Sequence, residues 1–242
     1  MTLRIAMWSG PRNISTAMMR SFGSRADTVV SDEPFYGCFL KQTGADHPVA
    51  AEIVQDMDCD WKSVAQTLSG AAPDGAPIWY QKHMAHHMVD ASAFSKLEGF
   101  THAFLIRDPL RVIASYAKKR ENVTAADLGY EALLGYFMRE ADRLGHAPPV
   151  IDGADVLADP ERVLKSLCDA LGIAWDPAML HWEPGRRETD GIWASHWYER
   201  VEASTGFEQP DEAKVRRETL PQDVLAACQP FYDQLKAHAL RF

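Results

Sequence analysis

Apolar residues fall along this chain in short runs, separated by stretches with helical spacing. That alternation predicts a mostly parallel sheet covered by helices on both faces. Leu3 to Trp8 reads as a short buried strand entering the turn-like stretch Ser9-Gly10-Pro11-Arg12-Asn13. Ser15 to Phe22 reads as a helix, with Met18 and Phe22 one turn apart on one face. Further strands are expected at Thr28 to Ser31, Ile78 to Gln81, His102 to Ile106, and Val150 with Ile151. Further helices are expected at Val49 to Met57, Trp61 to Ser69, Pro109 to about Arg120, Leu128 to Leu144, Pro160 to Leu171 and Pro221 to Leu240. Pro109 suits the first turn of a helix, where its missing N–H costs nothing. The expectation is one α/β domain over residues 1–242, with 37–77 and 175–210 as pocket or lid segments. The second of these holds Trp175, Trp182, Trp193 and Trp197 among turn residues, a high aromatic density for a loop.

Composition narrows the function classes. The chain has 242 residues and a net charge of −9, so it repels phosphate backbones and nucleic acid is excluded as a first partner. One anionic nucleotide is a different matter, because local cations and helix ends decide its binding. No apolar run reaches membrane-spanning length, and the N-terminal residues lead directly into a strand, so a cytoplasmic protein with no membrane partner is expected. The four cysteines lie far apart without a CxxC pair, which fits a reducing compartment and argues against structural zinc.

Two places carry chemistry. The turn Ser9 to Thr16 joins a strand to a helix N-terminus, where free N–H groups and the helix dipole favour an anion. Arg12 adds a forked cation, and Ser15 and Thr16 add hydroxyls; the plain alternative is an ordinary turn with a serine cap. The Gly-Lys pair of a Walker loop is missing before Ser15, which weighs against magnesium–ATP chemistry. Arg107 stands at the carboxyl end of the fourth strand, where open α/β sheets bind ligands, and Ser115 follows eight residues later. The plain alternative there is an Arg107–Asp108 pair and a buried helix serine.

Taken together, these segments resemble the sulfotransferases that use 3′-phosphoadenosine 5′-phosphosulfate (PAPS). Pro11-Arg12-Asn13-Ile14-Ser15-Thr16 is similar to the family's 5′-phosphosulfate loop, Pro-Lys/Arg-Ser-Gly-Thr-Thr. Arg107 through Ser115 is similar to its 3′-phosphate motif. Asp155 to Glu161, Leu167 to Gly172 and Asp176 to Leu180 are similar to a later conserved segment. Ile14 replaces the usual loop glycine, Asn13 the usual serine, and Gly153 a frequent tyrosine.

The resemblance implies a P-loop NTPase-like sulfotransferase fold, PAPS as co-substrate, a small-molecule acceptor and no metal. It places Arg12, Asn13, Ile14, Ser15, Thr16, Arg107 and Ser115 on the nucleotide. Glu33, after the second strand, is the first candidate base, with Asp32 its neighbour and competitor. Lys82 is similar to a lysine that stabilises the bridging oxygen, and His83, or another of the cluster with His86 and His87, is the alternative base. His83 and His87 would share a face if that stretch were helical, but no third metal ligand is evident. Lys118, Lys119 and Arg120 read as a solvated face, and Ser204 to Phe207 as a segment closing over the nucleotide. A kinase-like nucleotide enzyme and a non-catalytic nucleotide-binding module are the competing readings.

Overall fold

The computed structural model describes residues 2–117, 123–208 and 220–242. Five strands, β1 (Leu3–Ser9), β2 (Thr28–Asp32), β3 (Ile78–Met84), β4 (Thr101–Ile106) and β5 (Val150–Asp152), form one sheet in the order β2-β3-β1-β4-β5. Every pairing is parallel. Parallel neighbours need crossover connections, and the helices between strands supply them. The helices cover both faces, so burial runs along the strands rather than alternating; all seven residues of β3 are buried, Gln81, Lys82 and His83 among them.

Side-chain parity divides the core. Ile5, Met7, Ile78, Tyr80, Ala103, Leu105 and Ile151 face the side packed by the Ser15–Gly23 and Pro160–Leu171 helices. Ala6, Trp8, Trp79, Phe104, Ile106 and Val150 face the other, with Phe94, Leu133, Phe137 and Leu235.

The differences from the sequence pattern have local causes. Strands β2 and β3 run further than expected, to Asp32 and Met84, which draws Lys82 and His83 into the sheet. The Pro109 helix ends at Tyr116, with Asp108 capping it through Leu110 N at 2.7 Å; Lys118 to Arg120 lie outside the described residues. The helix expected from Leu128 is split at Gly129 (φ +68°) into Ala125–Leu128, which carries a Thr124–Asp127 capping box, and Tyr130–Leu144. A Cβ on Gly129 would sit 3.1 Å from His86 Cβ. The unpredicted helices Tyr36–Thr43 and Gly153–Ala158 each begin within a few residues of a strand's carboxyl end. Residues 175–210 contain the short helices Ala194–Trp197 and Glu199–Ala203, which lie as a strap over the carboxyl edge of the sheet. No helix among the described residues is long and apolar enough to cross a membrane.

Candidate functional site

A cavity of about 280 Å³ opens along the carboxyl edge of the sheet. Its walls bring together residues from the β1 turn, from the ends of β2, β3 and β4, and from the strap. With strands about 4.8 Å apart, its two ends, over β4 and over β2, are about 14 Å apart across the sheet.

At the β4 end the two arginine motifs meet. Arg12 Nε donates to Ser115 Oγ at 3.2 Å, and Arg107 Nη1 donates to the Arg12 carbonyl at 2.6 Å. Tyr130 in turn donates its hydroxyl to the Arg107 carbonyl at 2.5 Å. Arg12 is a non-glycine residue at φ +52°, a costly conformation that these bonds hold in place. Gly10 is required for space: a Cβ there would lie 2.6 Å from the Leu128 carbonyl oxygen. Burial lowers the pKa of both arginines, and Arg111 and Arg200 add repulsion at Arg107. Among the described residues, neither Arg12 nor Arg107 is paired with a carboxylate. Ser15, Thr16 and Ala17, the first turn of the helix, line the same end. Two half-buried guanidinium groups beside a helix N-terminus, with no carboxylate partner among the described residues, make this end of the cavity electropositive.

Asn13 and Ile14 line this wall but serve the loop itself. Asn13 Nδ2 donates to the Leu105 carbonyl at 3.0 Å, and its Oδ1 accepts from Ile14 N at 2.8 Å. The Ile14 side chain packs against the core.

At the β2–β3 end lies a buried charge cluster. Lys82 Nζ donates to Asp32 Oδ1 at 2.8 Å, Glu33 Oε1 at 2.5 Å and the Tyr198 hydroxyl at 2.6 Å. Tyr198 donates to Asp32 Oδ2 at 2.7 Å and accepts from Trp193 Nε1 at 3.1 Å. An ammonium has three protons, and all three of Lys82's are engaged. Burial opposes the lysine's charge, but the fields of Asp32 and Glu33 overcome it and hold its pKa well above the ordinary value. Burial raises the Glu33 carboxyl above its ordinary value, against the pull of Lys82. Glu33 Oε2 faces His87, whose Nδ1 is 3.8 Å away. Burial and the neighbouring His86 and His47 push His87 well below its usual range, so it stays neutral.

The structure removes His83 from this set. Parity on β3 points Lys82 and Met84 to the cavity side and His83 to the opposite face. There its ring stacks on Trp8 at 4.6 Å and approaches Gln81 Oε1 at 3.2 Å. Burial, with repulsion from His102, lowers its pKa to about 3. The stretch from His83 to His87 is strand and 3-10 turn rather than α-helix, so the two rings share no helical face. Among the described residues no group of three or more His, Cys, Asp or Glu side chains is arranged to hold a metal ion.

The sequence pattern did not single out Tyr36, His47, Tyr198 or Arg200, all of which line the cavity, while Trp193, from the tryptophan cluster, lines it too. The signals for the strap were the aromatic density of residues 175–210 and the expected closing segment Ser204 to Phe207. Its anchor is a buried, bidentate ion pair, Arg20 to Asp190 at 2.6 and 2.5 Å. The strap lays Trp197 over the Arg12 guanidinium, 5.9 Å from ring centroid to carbon, and brings Ser204, Gly206 and Phe207 to the wall.

The profile of a family described as a sulfotransferase domain matches residues 3–239. Two Arabidopsis thaliana proteins named branched-chain-amino-acid aminotransferase-like protein 2 and 1 are 35% and 34% identical over 234 residues, 97% of this chain. This chain spans only 41% and 42% of their lengths. Among solved structures, a sulfotransferase from Alicyclobacillus acidocaldarius superposes with a TM-score of 0.59 at 12% identity, covering 100% of this chain and 98% of that one. The sulfotransferase domain from the curacin biosynthetic pathway superposes with a TM-score of 0.53 at 16% identity, covering 100% and 93%. These two likenesses show the fold, and the profile match across the whole sheet and strap shows the family: the chain belongs to the sulfotransferase domain family.

Proposed function

We propose that this protein transfers the sulfuryl group of PAPS to a hydroxyl or amine of a small-molecule acceptor. The observation that carries this reading is the pair Arg12 and Arg107, joined by the Arg107 side chain on the Arg12 carbonyl, with Ser115 on Arg12 and no carboxylate partner among the described residues, at one end of a cavity whose other end holds a buried carboxylate. In this reading Arg107 and Ser115 bind the 3′-phosphate, and Arg12 with the first turn at Ser15 and Thr16 binds the 5′-phosphosulfate. The acceptor lies over β2 and β3, against Tyr36, His47, His87 and Trp193.

Glu33 Oε2 takes the acceptor's proton as the acceptor oxygen or nitrogen bonds to sulfur. The bond from sulfur to the phosphate oxygen breaks, and its electron pair leaves with the bisphosphate. Charge on the leaving group is met by fixed donors already in place, which is where electrostatic catalysis is strongest. A base whose pKa is raised by burial is suited to proton transfer nearer neutral pH. Proton uptake by Glu33 also weakens its hold on Lys82, freeing an N–H for the leaving oxygen.

The test is calorimetric titration with adenosine 3′,5′-bisphosphate. Removing one charge-assisted contact costs about 1.5–3 kcal/mol, so Arg107→Ala is expected to weaken binding roughly ten- to a hundred-fold. ATP is expected to bind weakly with or without magnesium. Absence of bisphosphate binding, or a magnesium-dependent preference for ATP, would sink this reading in favour of a kinase-like enzyme. Bisphosphate binding without transfer to any member of a broad acceptor panel would favour a binding module.

A further inference from the structure

The anion loop of this chain lacks the glycine its family uses at position 14, yet it closes. Three side-chain contacts account for its shape. Asn13 Nδ2 ties the loop to the carboxyl end of β4 through Leu105 O, and Asn13 Oδ1 closes on Ile14 N. Ile14 packs its side chain into the core. Opposite them stands Gly153, the first residue of the Gly153–Ala158 helix after β5. A Cβ on Gly153 would lie 3.0 Å from Asn13 Oδ1, 3.4 Å from Ile14 Cγ1 and 3.5 Å from the Ile106 carbonyl oxygen. The first distance is tighter than ordinary contact, so Asn13 would have to move, and both of its hydrogen bonds would move with it.

We propose that Asn13 and Gly153 are a matched pair of positioning residues that hold the anion loop in its binding shape. In this chain side-chain anchors set that shape, in place of a flexible glycine at position 14. The proposal rests on the bisphosphate reading of the site. Both ends of the Asn13 amide are engaged by protein, so its effect on a ligand runs through the loop. The Ile14 N–H is also engaged, so the anion's backbone donors lie further along the turn, from Ser15 onward. A loop anchored in advance loses little freedom when a ligand binds, which favours affinity.

Ile14→Gly restores the residue usual in the family, but here it removes the core anchor and adds backbone freedom. It is therefore expected to weaken bisphosphate binding.

The experiment measures the dissociation constant for adenosine 3′,5′-bisphosphate, with the urea midpoint alongside, for the unsubstituted protein, Asn13→Ser, Gly153→Ala, their double variant and Ile14→Gly. Gly153→Ala alone is expected to weaken binding about ten-fold, the scale of one lost hydrogen bond. In the Asn13→Ser background the same substitution is expected to cost less than about two-fold, because the atom it crowds is gone. A purely structural role would shift the urea midpoint without this coupling in affinity. Losses that multiply without coupling, or unchanged binding by Gly153→Ala, overturn the pairing. Should Gly153→Ala fail to fold, Ile14→Gly decides: binding as tight as that of the unsubstituted protein overturns the anchored loop. No binding by the unsubstituted protein overturns the functional reading itself, a result distinct from the others.

Discussion

Replacing Tyr198 by phenylalanine removes one buried oxygen that makes three hydrogen bonds and leaves the ring in place. The hydroxyl accepts from Lys82 and Trp193 and donates to Asp32 Oδ2. Lys82 retains both carboxylates after the change. Trp193 Nε1 loses its acceptor in a buried position, and Asp32 Oδ2 is left with Gly191 N at 3.4 Å. Each buried polar group left without a partner costs about 1–3 kcal/mol, and removing the hydroxyl's own burial returns about 1–2. The net expected loss is about 1–4 kcal/mol, or on the order of 10 °C in Tm for a chain of this size. Urea unfolding reads it as a lower midpoint with an unchanged slope. Trp193→Phe provides the control: in that background the N–H is already absent, and Tyr198→Phe is expected to cost about 1 kcal/mol less. A loss below about 0.5 kcal/mol, the scale of an ordinary surface substitution, or full additivity with Trp193→Phe, would refute the claim that this hydroxyl ties the strap to the charged cluster.

Three further outcomes are expected. Buried His83, His87 and His102 all have lowered pKa values, through burial first, so the unfolded chain binds their protons near pH 6.5 while the folded chain does not. Stability is therefore present above pH 6.5 and falls as pH drops below it, by up to about 1.4 kcal/mol per pH unit per histidine; a flat profile from pH 7 to 5 in urea unfolding would contradict this. If Glu33 is the base, the acid limb of kcat/KM lies above the ordinary glutamate value of 4.5, because activity needs its ionised form and burial raises its pKa. Glu33→Gln should then lower kcat about 10²- to 10⁴-fold, and a variant that loses bisphosphate affinity while keeping kcat would move Glu33 to a binding role. Gly10→Ala places a methyl 2.6 Å from the Leu128 carbonyl, so a loss of about 1–3 kcal/mol in stability and weaker bisphosphate binding are expected; unchanged values would show that the turn yields freely.

The sequence alone determined the α/β class, the five strands and the two arginine motifs. Strands buried on both faces read as continuous apolar runs, and Arg12 and Arg107 sit just past such runs, so local pattern suffices to find them. It did not determine which side of the sheet each residue after β3's apolar start would face. That depended on β3 continuing to Met84, paired with β1 along its whole length, which sends Lys82 to the cavity and His83 to the Trp8 side. Only the tertiary structure decided that Tyr198 meets Lys82 across 116 residues, and that Gly153 makes room for Asn13. Contacts between positions so far apart leave no periodic trace in one chain, because they are set by how the strap and the helix after β5 pack on the sheet edge. Hydrophobic spacing encodes burial, while a charged or polar side chain acquires its role from the partners that folding brings to it.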